Sequence, residues 1–271
     1  MNPNQALWEK GDFTRLAATM RGSGAAFVAT LDVGPGMRVL DLGCGDGTTA
    51  IPEAQLGAEV TGIDIARNLV EAGKRRAEAA GLSNIVFQQG DACDLAGVAD
   101  SSFDLVVTMF GAMFAPRPMD VAKSMVRVTK PGGRIVMCNW IPGDPTLVAQ
   151  ILKTSSAYTP APPEGFISPM LWGVETHVIE RFAAAGVPQT AIGFSRNNFK
   201  FSFEGSPKRF LDEFRSWYGP MMNAFEAAAK NGQEAALQRE LEALFESQNT
   251  SGQSDRTEIV TTFLRVTVTK P

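Results

Sequence analysis

Histidine is almost missing from this chain: His177 is the only one in 271 residues. That excludes a histidine-rich metal site and leaves a Ser-His-Asp triad a single possible base. Cysteine is scarce as well. Cys44, Cys93 and Cys138 are odd in number and far apart, so they offer neither a disulfide framework nor a zinc-ligand spacing. They suit a reducing compartment, and no metal is expected. Basic residues are not in excess: 25 Lys and Arg face 29 Asp and Glu, for a net charge of −4 and a pI of about 5.2. An acidic chain without a basic cluster is a poor partner for nucleic acid. The longest apolar run, around Leu105 to Ala115, is shorter than the roughly 20 residues that span a bilayer. Met1-Asn2-Pro3-Asn4-Gln5 is not a basic segment leading into an apolar one. No signal peptide or membrane insertion is therefore expected, and a cytoplasmic location is.

What is present is ordinary for a globular protein, with 44% hydrophobic and 20% charged residues. The length suits one large core or a core with an inserted subdomain. The chain is organised around Val39-Leu40-Asp41-Leu42-Gly43-Cys44-Gly45-Asp46-Gly47. Val39, Leu40 and Leu42 end a buried strand, and the glycines let the backbone turn and a ligand press against it. Thr48 to Ile51 start a helix that Pro52 is expected to break or kink. A strand, a glycine turn and a helix N-terminus make a nucleotide-type site at the carboxyl edge of a parallel sheet. The run is G-x-G-x-G. It lacks both the third-glycine spacing of a dinucleotide fingerprint and the Lys-Ser/Thr ending of a phosphate loop.

Further along, Ala58 to Asp64 reads as a second strand ending in an acid, 21 positions after Gly43. Such a carboxylate suits both hydroxyls of a ribose, or else caps the following helix. Asn84 to Phe87 is a third strand that leads to Gly90-Asp91-Ala92. Ser102 to Met109, continuously apolar and β-branched, is a central fourth strand ending at Phe110-Gly111-Ala112-Met113-Phe114. Met119 to Val128 is an amphipathic helix stopped at Lys130-Pro131-Gly132-Gly133, and Arg134 to Trp140 is the fifth strand.

The glycine run, Asp64, Asp91-Ala92, Phe103-Asp104 and Pro131-Gly132-Gly133, in that order, resemble the class I S-adenosylmethionine-dependent methyltransferases over about residues 35 to 140. Within them the chain resembles the small-molecule, ubiquinone/menaquinone-biosynthesis type. The resemblance implies an α/β fold: a doubly wound, Rossmann-like seven-stranded sheet, mostly parallel, with an antiparallel last strand and a helical cap and insertion. It implies S-adenosyl-L-methionine as cofactor, S-adenosyl-L-homocysteine as product, and cofactor contacts from Asp41, Gly43, Cys44, Gly45, Asp64, Ile65, Asp91, Ala92 and Phe110. Asp64 is expected at the ribose, Ile65 at the adenine face and Asp91 at the adenine amino group. N-terminal helices often cover the active site in this family, which would place Trp8 and Phe13 there.

Residues 1 to 33 are expected to form that cap, as a helix interrupted by Gly11 and by Gly22-Ser23-Gly24, with Ala25 to Leu31 a second short helix. Residues 34 to 204 would be the core, 205 to 255 a helical insertion and 256 to 271 the last strand. A proline-punctuated region follows Trp140 around a helix from Leu147 to Tyr158. Glu175 to Phe182 is helical, and Thr190 to Phe203 is a strand or hairpin. Ser206-Pro207 caps and opens a helix with Phe210, Leu211, Phe214 and Trp217 on one face. Two more helical stretches precede the β-branched segment Glu258 to Val268.

His177 is the one candidate base of ordinary pKa, against the alternative of a plain surface histidine. Met113, Phe114, Trp140, Trp172 and Tyr218 are candidates, with Trp8 and Phe13, for an apolar acceptor pocket, against the alternative of core packing. The segment after the fourth strand lacks the Asn/Asp-Pro-Pro-aromatic signature of enzymes that methylate planar exocyclic amines. The expected reaction is methyl transfer by in-line displacement to a small hydrophobic or aromatic molecule on oxygen, carbon or nitrogen. A binding module without catalysis, a cyclase that keeps the cofactor as scaffold and an NAD-dependent oxidoreductase are the alternatives. No motif speaks to oligomeric state.

Overall fold

The computed structural model describes residues 2–271; Met1, the first residue of the expected cap, lies outside them. Two short helices, α1 (Pro3–Glu9) and α2 (Thr14–Val28), lead into an alternating array. It runs β1 (Arg38–Leu42), α3 (Ala50–Gln55), β2 (Glu59–Asp64), α4 (Arg67–Ala79), β3 (Ile85–Gln89), β4 (Phe103–Met109), α5 (Pro118–Val128) and β5 (Thr129–Trp140). There follow α6 (Leu147–Ser156), α7 (Glu175–Ala183) and β6 (Ile192–Phe203). Then come α8 (Pro207–Trp217), α9 (Gly219–Lys230), α10 (Glu234–Gln248) and β7 (Thr257–Thr269).

The seven strands make one sheet in the order β3-β2-β1-β4-β5-β7-β6. β7 is antiparallel to both of its neighbours, and the other pairs are parallel. The chain therefore winds outward from β1 in one direction and from β4 in the other. Right-handed crossovers running in opposite directions put their helices on opposite faces. α3 and α4 pack on β2 and β3, while α5 packs on β5 and α7. The point where the winding reverses lies between β1 and β4, and their carboxyl ends open there.

The first helical region differs from the expected break. α2 runs unbroken through Gly22-Ser23-Gly24 to Val28. The reason is close packing: a Cβ at Gly24 would lie 2.6 Å from Thr48 Cγ2, so the glycine lets the helix press on the loop after β1. Pro52 does not break α3 either, because it lies in the first turn, where its missing N–H costs nothing. Lys130 to Gly133 extends β5 irregularly. Phe103 pairs with Thr129 and Leu105 already with Arg134, so the intervening residues bulge out. β6 is one long strand, not a hairpin.

Between β6 and β7, α8 packs its aromatic face on β6, and α9 and α10 pack on α8. Ser206 caps α8 through the Arg209 amide, with Pro207 in the first turn. Phe210 is fully buried. It stacks on Phe203 at 5.0 Å and meets Phe214 and Phe245 edge-on at 5.1 and 5.7 Å. Among the described residues no helix is long and apolar enough to cross a membrane.

Phe210 is the bolt between the helices and β6. Phe210→Ala should cost about 3–5 kcal/mol in chemical denaturation, the range for deleting a buried aromatic side chain.

Candidate functional site

The loop after β1 owes its shape to its glycines. Gly43, Gly45 and Gly47 have φ of +70, +55 and +88°. The Gly43 and Cys44 amides donate to the Ile63 carbonyl at 2.7 and 3.1 Å, which ties this loop to β2. A Cβ on Gly43 would lie 2.7 Å from Gly111 Cα, and one on Gly111 only 2.5 Å from the Gly43 carbonyl oxygen. The loops after β1 and β4 thus meet backbone to backbone. A Cβ on Gly45 would meet nothing within 4 Å, so open space faces it.

Beside this loop is a cleft with about 850 Å³ of non-atom space, counting the part open to solvent. Asp64, at the end of β2, lines it. Its Oδ2 accepts from the Gly45 amide at 2.9 Å and its Oδ1 from the Ala66 amide at 2.8 Å. Burial pushes this carboxyl upward, opposed by those amides. α4 begins after Ala66, so Asp64 is not its N-cap. Asp91 lines the cleft as well and accepts from the Cys93 amide at 2.8 Å, with Asn2 Nδ2 at 3.4 Å. Of the other expected residues, Gly43, Cys44, Gly45, Ile65, Ala92 and Phe110 line the same walls. Asn4, Thr48, Leu69 and Met109 also line it, although no motif pointed to them.

Phe110 is non-glycine at φ +59°, a conformation that costs energy and that packing must enforce. Its ring stacks on Trp140 at 3.6 Å, 6° from parallel. On the far side of Phe110 is a second cavity, with about 490 Å³ of non-atom space counting the part open to solvent, which shares Trp8, Phe13, Met20 and Phe110 with the cleft. Phe114, Trp140 and Tyr218 line it, and so do Val148, Ile151, Leu152, Phe201 and Phe214. The helical spacing of Phe210 and Phe214 marked these two side chains for one face of a helix. That pattern did not say that Phe214 would help to enclose a space.

Four expected residues are elsewhere. His177 lines neither cavity. It lies half-exposed on α7, 3.6 Å from Glu180 one turn on, and is a surface histidine. Trp172 is core: it packs on Phe182 at 6.2 Å, with the Arg181 guanidinium 4.4 Å from its ring. Met113 is buried and lines neither cavity, because the short turn at Ala112–Phe114 carries it inward and leaves Phe114 outward. Asp41 is beneath the glycine loop rather than in the cleft: its Oδ2 accepts from the Thr49 hydroxyl at 2.6 Å.

Asp41 has a buried companion that no motif signalled. Glu53 on α3 is fully buried, and neither of its oxygens has a partner among the described residues. Burial raises Asp41 to about 7, and burial together with Asp41 raises Glu53 well above its usual range. An ion in such a place is costly, so Glu53 keeps its proton near neutrality and Asp41 is about half protonated there.

A methyltransferase-domain family profile matches residues 34–186. An uncharacterized protein of Mycobacterium tuberculosis is 32% identical over 227 residues, 83% of this chain and 80% of that protein. A demethylmenaquinone methyltransferase of Paenarthrobacter aurescens is 39% identical over 113 residues, 42% of each chain. The structure of Haemonchus contortus phosphoethanolamine N-methyltransferase 2 in complex with S-adenosyl-L-methionine superposes with a TM-score of 0.56 at 17% identity. That match covers 92% of this chain and 53% of the other.

The buried carboxyls set a pH dependence. A group whose pKa is higher in the folded than in the unfolded chain contributes stability that is fully present below the unfolded value. That stability is lost as pH rises through the folded one. Stability should therefore fall between about pH 4 and pH 7 as Asp41 crosses from its unfolded to its folded pKa, with a slope approaching about 1.4 kcal/mol per pH unit. Glu53→Gln, which keeps the shape and removes the acid, should flatten thermal melts measured across that range and higher.

Proposed function

This chain belongs to the class I S-adenosylmethionine-dependent methyltransferases, and we propose that it methylates a small hydrophobic or aromatic acceptor held in the cavity beyond Phe110. The observation that carries this reading is the make-up of that cavity. It borders the cleft at the strand ends, with four side chains lining both. Apart from two indoles and the Tyr218 hydroxyl, its lining side chains are hydrocarbon or thioether. An acceptor seated there is desolvated, and a charged one would have no partner.

The cleft fits the cofactor on its own terms. Each Asp64 oxygen accepts one amide and keeps a lone pair, which suits a ribose diol. The space facing Gly45 leaves room that a side chain would fill. Asp91 would hold the adenine amino group, and Ile65 would cover the adenine face. When bound, S-adenosylmethionine supplies a methyl on a sulfonium, which an in-line nucleophile takes.

The protein's share of the work is placement. Among the described residues no carboxylate, amine or imidazole lines the aromatic cavity, and burial pushes the Tyr218 phenol upward, so that it keeps its proton. The chain then acts by aligning the acceptor and excluding water, a contribution that reaches roughly 7–11 kcal/mol in the best-oriented cases. Trp8 of α1 helps to close the site, packing on Phe114 at 5.0 Å and on Tyr218 at 5.9 Å. The relative named for demethylmenaquinone agrees with an apolar acceptor.

Calorimetric titration tests both halves. S-adenosylmethionine and S-adenosylhomocysteine should bind and NADH should not; methyl-labelled cofactor should then label hydrophobic acceptors in preference to polar ones. Asp64→Ala should weaken S-adenosylhomocysteine binding at least about tenfold, since a hydrogen bond to a charged group is worth about 1.5–3 kcal/mol. Unchanged affinity would remove Asp64 from the ribose.

A further inference from the structure

The chain has two tyrosines, and they are treated differently. The Tyr158 hydroxyl donates to Glu240 at 2.6 Å. Tyr218 is buried, and burial alone accounts for the upward push on its phenol, with no hydrogen bond contributing. The hydroxyl is not among the fully enclosed polar atoms, so it meets open space although the residue is buried. The ring itself is firmly placed. It lies at the bend between α8 and α9, with Trp8, Phe13 and Phe214 around it at 5.9, 6.1 and 5.7 Å. The Tyr218 amide donates to the Phe214 carbonyl at 3.0 Å. The next residue must be glycine, because a Cβ there would lie 2.2 Å from the Leu7 carbonyl oxygen. Backbone and ring are both held, and the hydroxyl is the only oxygen among the side chains that line the aromatic cavity.

We infer that the Tyr218 hydroxyl is the specificity handle of the acceptor cavity: it donates a hydrogen bond to one oxygen of a neutral, flat, hydrophobic acceptor. A carbonyl, an enol or a phenol supplies such an oxygen. The phenol keeps its proton, so it acts as a donor. The remaining lining is rings and aliphatic chains such as Leu152, Val148 and Ile151, so flat hydrocarbon fills the rest. A cationic acceptor would meet aromatic faces but no carboxylate. Tyr218 is a positioning residue here: one anchored atom and a flat wall of rings fix the acceptor's orientation toward the cleft. This inference rests on the reading of that cavity as the acceptor site.

The test uses shape-matched probes and needs no turnover. 2-Acetylnaphthalene and 2-isopropylnaphthalene differ by a carbonyl oxygen in place of a methyl group, and benzyltrimethylammonium is the cationic control. Binding is read from quenching of tryptophan fluorescence, since Trp8 and Trp140 line the cavity. The wild-type protein should bind the ketone roughly five- to tenfold more tightly than the hydrocarbon, the effect of one hydrogen bond in a desolvated site. Tyr218→Phe should remove that ratio by weakening the ketone alone. Its unchanged hydrocarbon affinity serves as the control for folding. Leu152→Trp, which fills the cavity, should abolish both. A ratio that survives Tyr218→Phe, or equal affinities in the wild type, would overturn the role of Tyr218 and leave the cavity reading standing. Failure of both naphthalenes to bind, or their binding undiminished in Leu152→Trp, would overturn the cavity reading and this inference together. Preference for the ammonium probe would overturn the inference in favour of a cation held by ring faces.

Discussion

Asp64 is where the strands and the loops are tied together. Its two oxygens take amides from opposite directions, one from the loop after β1 and one from the start of α4. Hydrogen bonds to a buried carboxylate are among the stronger ones a protein makes, and losing them would leave a buried charge uncompensated. The Gly45 amide held in this way fixes a loop whose glycines have positive φ. That loop then meets Gly111 with no space for a side chain between them. The whole floor of the cleft follows from this one carboxylate and a pair of glycines.

The cost of that floor shows around it. Phe110 is held at positive φ by the stack on Trp140 and by Phe199 and Phe263 edge-on at 5.3 and 5.5 Å. Asp41 and Glu53 are buried below the loop with oxygens that find no partner among the described residues. Strain and unpaired polar atoms persist only where the surroundings over-determine them, and Phe110 and Asp41 are two such places beside the cleft. Above the floor, the aromatic cavity is assembled from distant parts of the chain. Trp8 and Phe13 come from its start, Phe110 and Phe114 from the turn after β4, Trp140 from β5, Phe201 from β6, and Phe214 and Tyr218 from α8 and its end.

Local chemistry explains why the sheet was legible. Continuous β-branched runs mark buried parallel strands; Gly43 directly follows one, Asp64 ends another and Asp91 lies two residues past a third. Position at a strand end is a property of the chain, so the order of motifs carried over into the geometry of the cleft. Where reading along the chain went astray, a contact across the fold was responsible. Gly22 to Gly24 reads as a break until Thr48 is placed against Gly24. Trp172, Met113 and His177 carry the right chemistry for a site, but the side chain of each points away from it, two of them into the core and one toward solvent.

Residue types at short spacings marked the strand-end cleft, and the resemblance carried by those motifs implied the fold class and the cofactor. Which aromatic side chains surround a cavity and which merely fill the core depended on contacts between distant parts of the chain. A phenylalanine buried by periodicity reads the same whether its far side meets another ring or an open space. Only the packing of β6, α1 and α8 against the turn after β4 leaves that space open.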